Sequence, residues 1–247
     1  AALGRMRSLG VVPIVNENDT VAVDELKFGD NDRLAAIASH LVGAGMLVIL
    51  TDTPGLYSDD PRFSADAQLL RAVKHNDEVL DRLRSESGQG ALGSGGVATK
   101  VTAARMAAFS GIPTVIARSH DDAVVARAVG GEDVGTWVDP RPAALSARKL
   151  WIAFGLPAIG HITIDAGAVR ALSTAGRSLL GAGVAEVHGP FERGDAVEVV
   201  DGSGALVAKG IARIGSDDLV AAAGKHSSQV GGEVIHRDDM VILTSEL

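Results

Sequence analysis

Short, uninterrupted apolar runs separated by helical patterns most constrain the fold of this chain. These runs occupy residues 10–15, 46–50 and 112–117, and polar residues follow each of them. Runs without apolar–polar alternation are typical of strands buried on both faces, as in a parallel sheet covered by helices. Helical patterns are predicted at 31–42, 77–84, 99–109 and 121–129. The order of these elements predicts an α/β fold with an open, mainly parallel sheet sandwiched by helices.

The sequence changes character after Asp139-Pro140-Arg141-Pro142, where short runs rich in Val and Ile replace the α/β pattern. Strands are predicted at 161–165, 184–188, 195–200, 205–214 and 240–244, with helices near 166–174 and 216–224. Gly202-Ser203-Gly204 has the composition of a hairpin turn. We therefore predict two domains, at 1–145 and 158–247, of which the second is a small, mainly β, barrel-like module.

Composition excludes several classes of function. The chain has 23 basic and 31 acidic residues, a net charge of −8, which argues against a general affinity for nucleic acid. Over residues 161–247 acidic side chains also outnumber basic ones. Cysteine is absent, which excludes disulfides, thiolate metal sites and cysteine nucleophiles. The longest apolar stretch, Leu41 to Leu50, is about half the length that a membrane span requires, and we expect a cytoplasmic protein.

Two polar clusters, Asn16-Glu17-Asn18-Asp19 and Gly29-Asp30-Asn31-Asp32, follow or precede predicted elements of the sheet domain. Open parallel sheets bind their ligands at the carboxyl ends of the strands. Amide and carboxylate groups together suit a small zwitterion, because they offer both donors and acceptors. The alternative for the second cluster is a helix cap, with Asp near the positive end of the helix dipole.

A glycine-rich segment, residues 88–96, precedes a predicted helix that carries Lys100. Such a loop lets backbone N–H groups approach a phosphate, and the helix N-terminus and the lysine add positive potential. A solvated lysine on an Ala-rich helix is the alternative. The segment lacks the Walker A pattern. Residues 93–98 match Gly-x-Gly-x-x-Ala, but no strand precedes them, so a dinucleotide site is the weaker interpretation.

The remaining titratable side chains give little indication of chemistry. The seven histidines are scattered without metal-ligand spacing, and we expect structural or surface roles for them. Asp238 and Asp239, after Arg237, are more typical of a charged turn than of a catalytic pair. No protein metal site is predicted.

Four motifs resemble, in order and spacing, the glutamate 5-kinases of the amino-acid kinase family. They are Val-Pro-Ile-Val-Asn-Glu-Asn-Asp (12–19), Phe-Gly-Asp-Asn-Asp (28–32), Leu-Thr-Asp-Thr-Pro-Gly-Leu-Tyr (50–57) and Gly-Ser-Gly-Gly-Val-Ala-Thr-Lys (93–100). The tail, with His-Arg-Asp-Asp-Met (236–240), is similar to the PUA domain of that family. The resemblance implies an amino-acid-kinase-like sheet domain, incomplete at its N-terminus, followed by a PUA-like barrel.

The resemblance also implies an activity, the ATP-dependent phosphorylation of the γ-carboxylate of L-glutamate in proline biosynthesis. ATP and Mg²⁺ are the implied substrate and cofactor, and the resemblance also implies feedback inhibition by proline and a homo-oligomer. Glutamate would be held by Asp19, Asn31 and Asn16. The nucleotide would be contacted by Thr51, Asp52, Ser94, Gly95, Gly96, Val97, Ala98, Thr99 and Lys100. Asp32 would orient the catalytic lysines, and Lys100 would stabilise the transferring phosphoryl group.

One departure from the family concerns the start of the chain, which lacks the family's first strand, its phosphate-contacting lysine and a substrate-binding serine. We therefore expect that this chain by itself does not turn over. Two alternatives to the leading function stay open. One is a related kinase that acts on another carboxylate, a carbamate or a nucleotide. The other is an RNA-binding PUA protein with an inactive kinase-like domain.

Overall fold

The computed structural model describes residues 2–16, 31–86, 96–222 and 232–244. The chain divides into two compact units, 1–144 and 145–247. No helix among the described residues is long and apolar enough to cross a membrane.

The first unit alternates helices and strands, as an α/β fold requires. Its helices are α1 (Ala2–Ser8), α2 (Asn31–Val42), α3 (Glu78–Glu86), α4 (Val97–Phe109) and α5 (Val124–Val129). Its strands are β1 (Leu47–Thr51), β2 (Ala72–Val73), β3 (Thr114–Arg118) and β4 (Gly135–Val138). The predicted α/β class is thereby confirmed.

These four strands form one sheet in the order β1-β3-β4-β2. The β1–β3 and β2–β4 pairs are parallel, whereas β3 and β4 are antiparallel. Val115 and Ala117 of β3 pack against Val124 and Ala128 of α5. Helix α4 contacts β1, β3 and β4 and also packs against α2 and α3. Its many alanines let the neighbouring elements come close, and almost every residue from Val101 to Phe109 is buried.

The predicted strand at 10–15 is wrong. Residues 11–16 have no regular structure, and Val12 and Ile14 are 85% and 96% exposed. A strand requires a hydrogen-bonded neighbour, and no described strand pairs with this segment. The predicted helix 121–129 also begins later than expected, at Val124.

The second unit is mainly β, as predicted. Its helices are α6 (Ala147–Leu150), which continues into a π-helical turn (Trp151–Gly155), α7 (Ala166–Ala175) and α8 (Ser216–Ala222). Its strands are β5 (Gly160–Ile164), β6 (Leu179–Leu180), β7 (Val184–His188), β8 (Ala196–Val200), β9 (Leu206–Ile211), β10 (Glu233–Ile235) and β11 (Met240–Ile242).

Its described strands form a five-stranded sheet, β11-β9-β8-β5-β7, and a two-stranded sheet, β10-β6. In the larger sheet β5 and β8 are parallel, and the other neighbours are antiparallel. One continuous core includes Ile162, Leu172, Leu219 and Ile235. Closure of the strands into a barrel stays a prediction.

The predicted turn between β8 and β9 is present. The Asp201 carboxylate accepts hydrogen bonds from the backbone N–H groups of Ser203 and Ala205, and Gly204 has a φ of +85°. A positive φ is easily reached by glycine because it has no Cβ. Strand β9 ends at Ile211 rather than at 214.

Candidate active site

Lys100 and Asp32 form an ion pair between two adjacent helices. Asp32 lies in the first turn of α2 and Lys100 in the first turn of α4. The two helices pack against each other, which brings Lys100 Nζ to 3.0 Å from Asp32 Oδ2. The two side chains are only 12% and 18% exposed. A lysine at this position in the chain is therefore held in place by a carboxylate rather than solvated, contrary to the alternative interpretation of Lys100.

Thr99 contacts the same carboxylate oxygen. Its Oγ1 lies 2.9 Å from Asp32 Oδ2 and 2.8 Å from the carbonyl oxygen of Gly96. The resemblance assigns Thr99 to the nucleotide, whereas the structure directs its hydroxyl at Asp32. Spacing along the chain carried no signal for this contact, because the two residues are far apart in the sequence.

Thr51 and Asp52 lie where β1 ends. Thr51 Oγ1 donates a hydrogen bond to Asp52 Oδ1 at 3.1 Å. This bond, the backbone N–H of Asp52 and, less strongly, the positive charge of Lys100 lower the pKa of Asp52 below its ordinary value. Asp52 is therefore an ionised carboxylate within the electrostatic reach of Lys100.

The end of β3 lies beside the end of β1, as expected for parallel neighbours. The backbone N–H of Ser119 donates to the Thr51 carbonyl oxygen at 2.7 Å, and the Ser119 hydroxyl lies 3.1 Å from His120 Nδ1. Ser119 and His120 also belong to this edge, although no sequence motif singled them out. The available signal was their position directly after a buried strand, which is the position that singled out the other polar clusters.

Asn16 and Asn31 are brought together, although 15 residues separate them. Asn31 Nδ2 donates to Asn16 Oδ1 at 3.1 Å. Since Asn31 directly precedes Asp32, the predicted substrate-binding amides adjoin the Lys100–Asp32 pair. Asp19 lies outside the described residues.

The N-terminus of α4 begins at the end of the glycine-rich segment. Gly96 is the cap residue, with extended backbone and no side-chain capping bond, and the first turn contains no acidic residue. The N–H groups of Val97 and Ala98 belong to the first turn, where a helix lacks internal acceptors and favours anions. Ser94 and Gly95, the other predicted loop contacts, lie outside the described residues.

Among the histidines, His75, His161 and His188 lie against other rings, whereas His120 lies at the sheet edge described above. His75 packs edge-on against Phe109, and His161 stacks on His188 across β5 and β7. Asp238 and Asp239 belong to a short 3₁₀ turn, residues Arg237–Asp239. A charged turn is what the sequence predicted there.

The chain matches two family models, the amino acid kinase family over residues 1–118 and the PUA domain over residues 160–234. It is similar to three proteins named glutamate 5-kinase. The relative from Marinomonas sp. (strain MWYL1) is 44% identical over 98% of this chain and 67% of its own length. The relative from Photobacterium profundum is 45% identical over 95% of this chain and 64% of its own length. The relative from Nostoc sp. (strain PCC 7120 / SAG 25.82 / UTEX 2576) is 46% identical over 95% of this chain and 65% of its own length.

The chain thus spans about two thirds of the length of the curated relatives it matches. The identity extends over nearly the whole of this chain, and the kinase and PUA matches occur in the predicted order. The chain belongs to the glutamate 5-kinase family.

Proposed function

We propose that this chain carries part of the catalytic site of a glutamate 5-kinase, which transfers the γ-phosphoryl group of ATP to the γ-carboxylate of L-glutamate. The product is γ-glutamyl phosphate, the first intermediate of proline biosynthesis. The observation that carries the proposal is the partly buried Lys100–Asp32 pair at the first turn of a glycine-capped helix. The family assignment supports the choice of substrates.

Phosphoryl transfer depends mainly on positioning and on stabilisation of charge. A γ-carboxylate oxygen of glutamate forms a bond to the γ-phosphorus, and the bond from that phosphorus to the bridging oxygen breaks to release ADP. The ammonium of Lys100 stabilises the charge on the transferring group. The N–H groups at the start of α4 donate hydrogen bonds to phosphate oxygens. Asp32 holds the Lys100 ammonium in place.

This reaction needs no general base. The γ-carboxylate has an ordinary pKa of about 4.3 and is ionised near neutral pH, so the nucleophile is ready without proton removal.

Mg²⁺ is the expected companion of ATP. It is usually bound by one or two carboxylates together with substrate phosphates, rather than by a complete cage of protein ligands. Among the residues that the structure describes, no group of three or more acidic or histidine side chains suits a metal ion. Asp52, an ionised carboxylate at the end of β1, keeps the role that the resemblance implies, a contact to the nucleotide. When bound, Mg²⁺ neutralises part of the phosphate charge.

Asn16 and Asn31 are proposed to hold glutamate together with Asp19. Amide groups offer donors for the carboxylates of glutamate and acceptors for its ammonium, and Asp19 adds an acceptor for the ammonium. Thr51 adjoins the proposed nucleotide site. Proline as an inhibitor, a homo-oligomeric assembly and a cytoplasmic location are further parts of this proposal.

The test traps the acyl phosphate with hydroxylamine in the presence of ATP, Mg²⁺ and L-glutamate. The full-length gene product is compared with its Lys100→Ala variant and with Lys74→Ala. Lys74 is exposed and serves as the matched control. We expect glutamate-dependent hydroxamate from the full-length protein and from Lys74→Ala, and a loss of about 10²–10³-fold in Lys100→Ala.

A folded full-length protein that forms no glutamate-dependent hydroxamate would overturn the proposed function. Product with another carboxylate, with a carbamate or with a nucleotide, in place of glutamate, would identify a related kinase instead. RNA binding by the second unit would then be examined at increasing salt concentration, since binding through phosphates weakens as salt rises.

A further inference from the structure

The hydroxyl of Thr99 and the ammonium of Lys100 approach one and the same atom, Asp32 Oδ2, at 2.9 and 3.0 Å. We propose that Thr99 is a positioning residue, whose hydroxyl fixes the Asp32 carboxylate in the orientation that holds Lys100. This inference rests on the proposed function, because it assigns Lys100 to the transferring phosphoryl group. It differs from the role that the resemblance implies, in which Thr99 contacts the nucleotide.

The geometry restrains the hydroxyl from both sides. A threonine hydroxyl carries one hydrogen, and here two acceptors, Asp32 Oδ2 and the Gly96 carbonyl oxygen, lie within hydrogen-bond distance of its oxygen. A bond back to the carbonyl three residues earlier favours one side-chain rotamer of a helical threonine. Gly96 and the α4 backbone therefore aim the hydroxyl at Asp32.

A second donor fixes the orientation of the Asp32 carboxylate, because the terminal torsion of an aspartate side chain has a broad range of favourable angles. One ammonium alone leaves the carboxylate free to turn about that torsion, whereas two donors on the same oxygen define it. Hydrogen bonds to a charged acceptor are also stronger than neutral ones. Loss of the Thr99 hydroxyl thus displaces Lys100 without removing any positive charge, and small displacements of a catalytic group are costly in rate.

The test uses Thr99→Val, which replaces the hydroxyl by a methyl group, and Thr99→Ser, which keeps the hydroxyl. Thr102→Val is the matched control, since Thr102 lies on the same helix and its hydroxyl bonds to the Ala98 carbonyl at 2.8 Å. All variants are made in the full-length gene product. Hydroxamate formation gives kcat and the KM for ATP, and the affinity for a fluorescent ATP analogue is measured separately.

We expect Thr99→Val to lower kcat roughly tenfold while the KM and the affinity for the analogue change less than about twofold, as for an interaction that acts on the transition state. Thr99→Ser should recover most of kcat, and Thr102→Val should resemble the wild type. In an Asp32→Asn background, Thr99→Val should have no further effect on kcat, because the two residues act through one contact.

Three results would overturn the inference. The first is a weaker affinity for ATP in Thr99→Val with kcat preserved, which would mean that the Thr99 hydroxyl contacts the nucleotide. The second is unchanged kinetics. The third is an additive effect of Thr99→Val and Asp32→Asn on kcat.

If the wild type forms no glutamate-dependent product, the proposed function fails. The contact between Thr99 and Asp32 is then tested by a double-mutant cycle on the free energy of unfolding. Additive changes there would overturn the coupling of Thr99 to Asp32.

Discussion

Arg105 of α4 forms an ion pair with Asp81 of α3, and the Arg105 side chain is only 9% exposed although it carries a full charge. Asp81 is 43% exposed and also lies 3.5 Å from Arg84. Arg105 belongs to the helix that carries Lys100, between one and two turns further along. The pair therefore ties the helix that presents Lys100, the proposed catalytic lysine, to its neighbour.

We predict that Asp81→Asn lowers the free energy of unfolding by about 1–2 kcal/mol, because Arg105 stays buried but loses the charge of its partner. The half-exposure of Asp81 keeps the effect below that of a fully buried pair. Urea unfolding followed by circular dichroism measures the change. Asp60→Asn is the control, since Asp60 pairs with Arg62, which is 79% exposed. An equal loss in both variants would contradict the prediction.

Hydrophobic periodicity predicted much of this fold. Helix α2 ends at Val42, as the following glycine indicated, and β1 and β3 lie within one or two residues of the predicted runs. The same reasoning wrongly predicted a strand at residues 10–15. A run of Val and Ile becomes a strand only where another strand offers hydrogen bonds, and local hydrophobicity contains no information about that partner.

The candidate site could not be predicted in full either, because the sequence does not show which side chains meet in space. Motif resemblance named Asp32, Thr99 and Lys100, but a motif records which residues occur together and not where a hydroxyl points. The direction of that hydroxyl depends on the packing of α2 against α4. Arg105 was not singled out at all, since an arginine in an Ala-rich helix gives no sign of burial until its partner on α3 is known.

Gly135 provides a test of the β3–β4 pairing. Gly135 lies opposite Ala117, and a Cβ at Gly135 would overlap the Ile116 carbonyl oxygen. We expect Gly135→Ala to destabilise the first unit by about 3 kcal/mol or more, because a backbone atom must move to make room. Gly45→Ala is the control, since nothing lies within 4 Å of a Cβ built there.

Fluorescence can follow this unit separately. The chain has two tryptophans, and a Trp151→Phe background leaves Trp137, which lies near Gly135 in β4, as the reporter. Unfolding midpoints that are the same for Gly135→Ala and Gly45→Ala would show that β3 and β4 do not approach as closely as described.

The ion pairs of Asp239 predict that the stability of the second unit depends on pH. Its carboxylate lies 2.6 Å from Arg148 Nη2 and 3.5 Å from Arg213 Nη2, and these guanidinium groups, Arg148 above all, lower the pKa of Asp239 below its ordinary 3.8. When the folded pKa is the lower one, the stabilisation is complete above the unfolded pKa and is lost as the pH falls through the folded pKa.

We therefore expect Asp239→Asn to be less stable than the wild type near neutral pH, and the difference to shrink once the pH falls below about 3.8. Trp151 fluorescence in a Trp137→Phe background reports unfolding of this unit. Asp238→Asn is the control, because the Asp238 side chain is 74% exposed. A difference that does not change with pH would mean that Asp239 acts through packing rather than through its charge.

Lys100→Arg separates the charge of Lys100 from its shape. The arginine keeps the positive charge, but its planar, larger guanidinium replaces a compact ammonium whose side chain is only 12% exposed. If the ammonium must lie at one point beside Asp32 to meet the transferring phosphoryl group, kcat in the hydroxamate assay should fall by about tenfold or more, with Lys74→Arg unchanged. A Lys100→Arg variant with wild-type kcat would instead mean that net positive charge at this position is sufficient. The Asp32 contact would then serve folding rather than catalysis.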